Sequence, residues 1–325
     1  MSIFTEWGIP IIEWLQNLGD GLWPFMDFFS FLGRENFYLL ILVALFWCFD
    51  AKISFRAGLI LLTSASLVAI LKVAFAMPRP YWINENVKAL GTEPSFGMPS
   101  GHAQNAVALW GRFASLLNRA WVTFGAGLLI FFISISRLYL GVHFPLDIVA
   151  GWLVGLLLLL LFIRAESRIV SWLRSLSFSM QVLAPIIFAL TILTTGLIFS
   201  RPALEQEIPA QWLETAVAAA PNADPPDPYA VDPFVAITGV LMGFGIGGVY
   251  LYRWDGFDAG GPILQRTLRY LVGVIGVVIL FFGLRVLFPS GPALLAQSLR
   301  FLRYASVGLW ITYLAPRLFV RLRLA

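Results

Sequence analysis

His102 and His143 are the only two histidines in the chain, and each stands in a polar stretch flanked by apolar runs. His143 belongs to Ser136–Asp147 (SRLYLGVHFPLD), which also holds Arg137 and Asp147. Pro145 suits the first turn of a helix. Asp147 then falls in that turn, where its carboxylate can accept from one ring nitrogen of His143 and leave the other free as a nucleophile. Taken alone, Asp147 reads equally well as an ordinary acidic residue at a helix start. His102 closes Pro99–His102 (PSGH). Ser100 and Gly101 suit a helix N-terminus, where free N–H groups favour an anion and a glycine admits close approach. His102 projects from that first turn, placed to exchange a proton with a bound group. Lys72 and Arg79 bracket KVAFAMPRP seven positions apart. If the helix runs on to Pro78, the two share one face, and two such cations repel unless an anion lies between them. Ionisable groups at membrane depth cost several kcal/mol unless paired or hydrated, so these need a reason.

The elements that must position them are apolar helices. Of 325 residues, 59% are hydrophobic and 12% charged, and the mean hydropathy is +0.82. Apolar stretches long enough to cross a bilayer recur at about 36–50, 55–77, 99–117, 120–140, 146–163, 181–199, 234–252, 268–288 and 301–318. A soluble chain of this size could not bury so many. The fold class expected is all-α and polytopic in a membrane. Residues 1–34 read as an interfacial or re-entrant segment, with Glu6 and Glu13 beside Trp7 and Trp14. They lack the charged start of a secretory signal, since no Lys or Arg precedes Arg34. Residues 166–180 read as a basic amphipathic connector. Residues 181–325 form a C-terminal membrane region interrupted by the polar loop 200–233, which carries Glu205 and five further acids.

The formal charge of +4 and pI near 9.4 would fit a nucleic-acid binder. The basic residues, however, sit at span ends: Lys52 and Arg56, Arg112 and Arg119, Arg164 to Arg174, Arg253 to Arg269, and Arg317 to Arg323. With alternating spans these fall on one side, the cytoplasmic one, and no nucleic-acid partner is expected. The motifs then face the extracytoplasmic side, periplasmic in a bacterium. Cys48 is the single cysteine, which rules out an intrachain disulfide and a cysteine-based zinc cluster. Gly243–Gly248 fits GxGxxG but lies inside a span with no strand before it, so the four-residue spacing of Gly239, Gly243 and Gly247 reads as close helix packing.

KVAFAMPRP, PSGH and SRLYLGVHFPLD together resemble the three signature motifs of the type-2 phosphatidic acid phosphatase family. The match covers about residues 35–165 and is complete at Lys72, Arg79, Pro80, Pro99, Ser100, Gly101, His102, Ser136, Arg137, His143 and Asp147. SRLYLGVH is similar to the wording in sphingosine-1-phosphate phosphatases and their bacterial relatives. The resemblance implies a core of about six helices, extended here by about four C-terminal spans. It implies catalysis by His143, His102 and Asp147 through a phosphohistidine, with Lys72, Arg79, Ser100, Gly101 and Arg137 holding the phosphate. Neither metal nor cofactor is expected. The partners expected are a lipid phosphate monoester and the bilayer, with a homodimer left open. Two other readings stand beside it: a polyprenyl diphosphate phosphatase or lipid phosphotransferase, and a non-catalytic anion binder or transporter.

Overall fold

Proline, glycine and long apolar runs dictate a chain of helices, and helices are what the computed structural model contains. It describes residues 7–200, 207–254 and 257–325, among which there is no β-strand. Glu6 and Glu205 lie outside the described residues. The first half comprises α1 (Gly8–Gln16), α2 (Trp23–Phe31), α3 (Glu35–Cys48), α4 (Ala51–Phe75), the single turn α5 (Pro80–Ile83), α6 (Gly101–Leu117), α7 (Ala120–Tyr139) and α8 (Pro145–Ser175). The second half comprises α9 (Phe178–Ser200), α10 (Ala210–Ala219), α11 (Asp232–Arg253), α12 (Ile263–Val278), α13 (Leu284–Leu287), α14 (Leu294–Leu309) and α15 (Ala315–Arg321).

Among the described residues, six helical stretches have the length and apolarity to cross a bilayer: Ala51–Ile83, Ala120–Tyr139, Pro145–Ser175, Phe178–Ser200, Asp232–Arg253 and Ile263–Leu287. Asp20–Phe31 with Glu35–Cys48 passes the same test as a pair bent by 51°. Three expected spans differ: α3, with 14 residues, passes only as part of that bent pair. α6 is helical but has 17 residues, and Gln104 and Asn105 dilute its apolar character. The 301–318 stretch is divided among α14, a π-helical turn at Trp310–Leu314, and α15, with Arg300, Arg303 and Gln297 on α14.

The chain forms two compact units that do not follow chain order. The first takes the residues up to Tyr38, Leu67–Leu160 and Leu197–Ala230. Its core gathers Ile12, Trp82, Phe96, Tyr139, Val142 and Phe144, and α7 packs against both α2 and α6. The second takes Leu39–Ser66, Leu161–Gly196 and Val231–Ala325, with a core around Trp47, Phe46, Phe244, Ile311 and Phe319. Its closest packing joins α11 to α14. A Cβ on Gly243 would run into the Ala305 carbonyl, and one on Gly247 into Thr312. The glycine repeat is thus a helix-packing face, as its spacing suggests.

Candidate active site

All three motif stretches lie in the first unit. Lys72, in the last turn of α4, donates from Nζ to Ser95 Oγ at 2.8 Å. α4 stops at Phe75 because Ala76 turns to φ 48°, and Pro78 and Pro80 disfavour helical conformation in the residues just before them. The expectation that Lys72 and Arg79 share one face of a continuous helix is therefore corrected. Arg79 is extended (φ −89°, ψ 158°) and caps α5. The two cations still meet, at Ser95. Arg79 is fully buried and donates from Nη2 to the same hydroxyl at 3.1 Å and to the Phe96 carbonyl at 3.0 Å. Its Nε reaches the Ser95 carbonyl at 2.6 Å, and Nη1 the Val142 carbonyl at 2.7 Å.

The Val142 contact brings Arg79 to His143. α7 ends at Tyr139, and Gly141 turns the chain at φ 75°, where a Cβ would also strike the Lys88 carbonyl. Pro145 restarts helix immediately, so His143 and Asp147 stand one helical turn apart. Asp147 Oδ2 lies 3.2 Å from His143 Nδ1 and accepts from the Phe144 N–H at 2.8 Å. On the other side of the ring, His143 Nε2 lies 3.4 Å from Arg79 Nη1. Burial first, then Arg79, Lys72, Arg137 and His102, push the His143 pKa well below the usual histidine value. The ring is neutral, which keeps a lone pair on Nε2. Gly97 has to be glycine, because a Cβ would sit 2.9 Å from the Pro78 carbonyl and 3.2 Å from Asp147 Oδ2.

The PSGH stretch is tied to the same place. The Ser100 N–H donates to the Asp147 carbonyl at 2.9 Å, and Ser100 Oγ caps α6 by accepting from the Ala103 N–H at 3.5 Å. Gly101 opens α6. His102 follows, with Nε2 buried and without a hydrogen-bond partner among the described residues. Its ring fills the space beside Gly33, where a Cβ would come within 2.5 Å of Cδ2. Arg137, at the end of α7, donates to Ser30 Oγ and to Glu93 Oε1, each at 2.5 Å. Burial acts to raise the Glu93 pKa, but Arg137, Arg79, His102 and Lys72 outweigh it and hold the carboxyl well below the usual range.

Every site residue expected from the sequence thus falls in one neighbourhood: Lys72, Arg79, Ser100, Gly101, His102, Arg137, His143 and Asp147. Sequence reasoning missed Glu93, Ser95, Ser30 and Gly33. Nothing in their spacing separates Glu93 from Glu85 in the same loop. Chemically, a neutral imidazole oriented by a carboxylate faces guanidinium groups with a second imidazole close by. That set suits nucleophilic attack on a bound oxyanion.

Residues 54–171 match the PAP2 superfamily, and residues 235–325 match the "PAP2 superfamily phosphatase, transmembrane extension". The probable sphingosine-1-phosphate phosphatase of Dictyostelium discoideum is 30% identical across 46% of this chain, which spans 40% of that protein. The undecaprenyl-diphosphatase of Sulfolobus acidocaldarius is 32% identical, across 44% of this chain and 69% of its own length. Phosphatidylglycerophosphatase B of Bacillus subtilis is 31% identical, across 46% of this chain and 73% of its own length.

Proposed function

We propose that this chain, which belongs to the PAP2 superfamily, hydrolyses lipid phosphate monoesters through a phosphohistidine intermediate. The superfamily places it among membrane lipid phosphatases whose substrates vary from one relative to another. The observation that carries the finer reading is His143, with Asp147 at Nδ1 and Arg79 beside Nε2.

In the first step Nε2 of His143 bonds to phosphorus while the ester P–O bond breaks. His102 gives its proton to the departing alkoxide. An incoming phosphate favours the protonated form of His102, since opposite charge stabilises the cation. In the second step water bonds to phosphorus and the N–P bond breaks. The proton from that water returns to His102, which restores both rings. Asp147 holds the tautomer in which Nδ1 bears the hydrogen. Lys72, Arg79, Arg137, Ser100 and the Gly101 N–H take the phosphate oxygens as charge redistributes. These cations supply the stabilisation for which other phosphatases recruit a metal, so the reaction is written without one.

The substrate class proposed is a sphingoid-base phosphate, phosphatidic acid or a similar monoester, in keeping with the SRLYLGVH wording and the Dictyostelium relative. A second reading, polyprenyl diphosphate hydrolysis, draws on the Sulfolobus relative. The division of labour proposed is a phosphatase core at 35–165, a connector at 166–180 and an extension at 181–325. The two separate superfamily matches support the core and the extension, while α8 runs unbroken from the core into the connector as far as Ser175. The site is assigned to the extracytoplasmic face of the cell membrane, on the strength of the basic span ends opposite the motifs.

The test is phosphate release by the purified chain across sphingoid, glycerolipid and prenyl substrates. His143→Ala lowers turnover by roughly 10⁴-fold or more with extraction and gel-filtration behaviour intact. Retained turnover removes His143 from its role. EDTA in the same assay leaves the rate within about twofold, as expected when side chains hold the phosphate. Loss on chelation with rescue by Mg²⁺ overturns the metal-free scheme.

A further inference from the structure

The second unit holds its own cluster of cations. At the end of α11 that carries Asp232, a cavity of about 230 Å³ is lined by Arg285, Arg300 and Arg303, together with Ser290, Phe281 and Tyr304, and among the described residues by no acidic side chain. Arg300 is ion-paired with Asp232, which also accepts from Gln297 Nε2 at 2.7 Å. That pair joins the start of α11 to α14 and accounts for one arginine. Arg303 lies over two rings, 5.2 Å from the Phe281 centroid and 5.1 Å from that of Tyr304. Its Nε is buried without a hydrogen-bond partner. Arg285 is solvent-exposed, with nothing in the cavity lining to neutralise it.

Bilayer topology does not explain these arginines. α11 has 22 residues, so its two ends stand roughly 33 Å apart. The far end already carries the basic set: Arg253 over Phe178, and Arg317 over Trp254 at 5.0 Å. By the positive-inside rule the Asp232 end is the side where arginines are scarce. Arg285 and Arg303, which have no ion-pair partner among the described residues, converge there beside the paired Arg300, and that excess calls for an anion.

The surroundings say which kind. Val286, Leu287 and Leu294 bracket the loop over the cavity and are 86%, 75% and 83% exposed. At the edge of a bilayer such side chains meet acyl chains rather than water. The Arg303 guanidinium, held over two aromatic rings, and that of Arg285 offer paired N–H donors of the kind that phosphate oxygens accept.

We propose that this cavity binds the phosphate of an anionic membrane lipid. Arg285, Arg300 and Arg303 donate to its oxygens, and its chains lie along Val286, Leu287 and Leu294. The site is distinct from the His143 centre, and it stands whether or not the phosphatase reading does. The test titrates phosphatidylglycerol into the full chain in mild detergent and counts bound lipid by native mass spectrometry. Phosphatidylcholine and inorganic phosphate run as parallel arms. Arg285→Glu and Arg303→Ala each weaken phosphatidylglycerol binding roughly tenfold, the effect of losing one hydrogen bond to a charged group. Turnover of a soluble phosphate monoester stays at the wild-type rate. Because Arg285 is exposed, Arg285→Glu keeps the fold and the result stays readable. Equal lipid retention by both variants and wild type overturns the proposal, as does equal binding of phosphatidylcholine. Inorganic phosphate that cannot be displaced by phosphatidylglycerol overturns the lipid assignment.

Discussion

Each unit buries an arginine completely, and the two are used differently. Arg269 in the second unit donates to three successive backbone carbonyls, of Asp258, Ala259 and Gly260. It fastens the loop that precedes α12, and among the described residues it forms no ion pair. Arg79 in the first unit also satisfies carbonyls, but it shares the Ser95 hydroxyl with Lys72 and leaves Nη1 beside His143. A buried cation bonded only to backbone completes a fold. Two cations that share one hydroxyl beside an imidazole carry more positive charge than that hydroxyl can answer, which suits the arriving phosphate of the proposed reaction.

The sharpest way to break this contrast is at Arg137. Arg137→Lys keeps the charge but loses the forked contact to Ser30 and Glu93. It lowers kcat/KM by roughly 10²–10³-fold, as loss of a donor to developing charge does, and circular dichroism shows the helices retained. Wild-type kinetics would make Arg137 structural, like Arg269. Gly243→Leu tests the other unit. The side chain has no room against Ala305, so stability falls by about 1–3 kcal/mol, read as a lower midpoint of thermal unfolding in detergent. An unchanged midpoint would show that α11 and α14 are not closely packed. The pH profile sharpens the comparison at the smallest scale. His143 must be neutral to attack, and its pKa is pushed below the usual 6.5 by burial and by Arg79. The acid limb of kcat/KM assigned to this ring therefore lies below pH 6.5. A limb above that value would mean that the Asp147 pairing dominates.

The residues of the site were legible because their constraints are local. The interval from His143 to Asp147 is one helical turn, Pro145 marks its start, and Ser100 caps the helix it precedes. Each can be read within a dozen positions. Lys72 and Arg79 show the limit. Their seven-residue spacing invited a shared helix face, but the conformational cost around Pro78 and Pro80 ends the helix, and they converge through Ser95 instead. Glu93, Ser30 and Gly33 were beyond reach, since their roles arise only from contacts across sequence gaps such as the 44 positions from Glu93 to Arg137. In the second unit the glycine repeat on α11 was readable as a packing face. The break at Trp310–Leu314 was not, because no proline or glycine in that segment announces it.

The placement of Ser30 and Gly33 has a practical corollary for protein engineering. The hydroxyl that steadies Arg137 and the flat surface behind the His102 ring both come from upstream of the family-matched stretch 54–171. A trimmed enzyme built from that stretch alone would carry all three signatures and still lack two of the supports beneath them. Anyone shortening this chain should keep α2 and the turn that follows it before keeping any of the helices that follow α8.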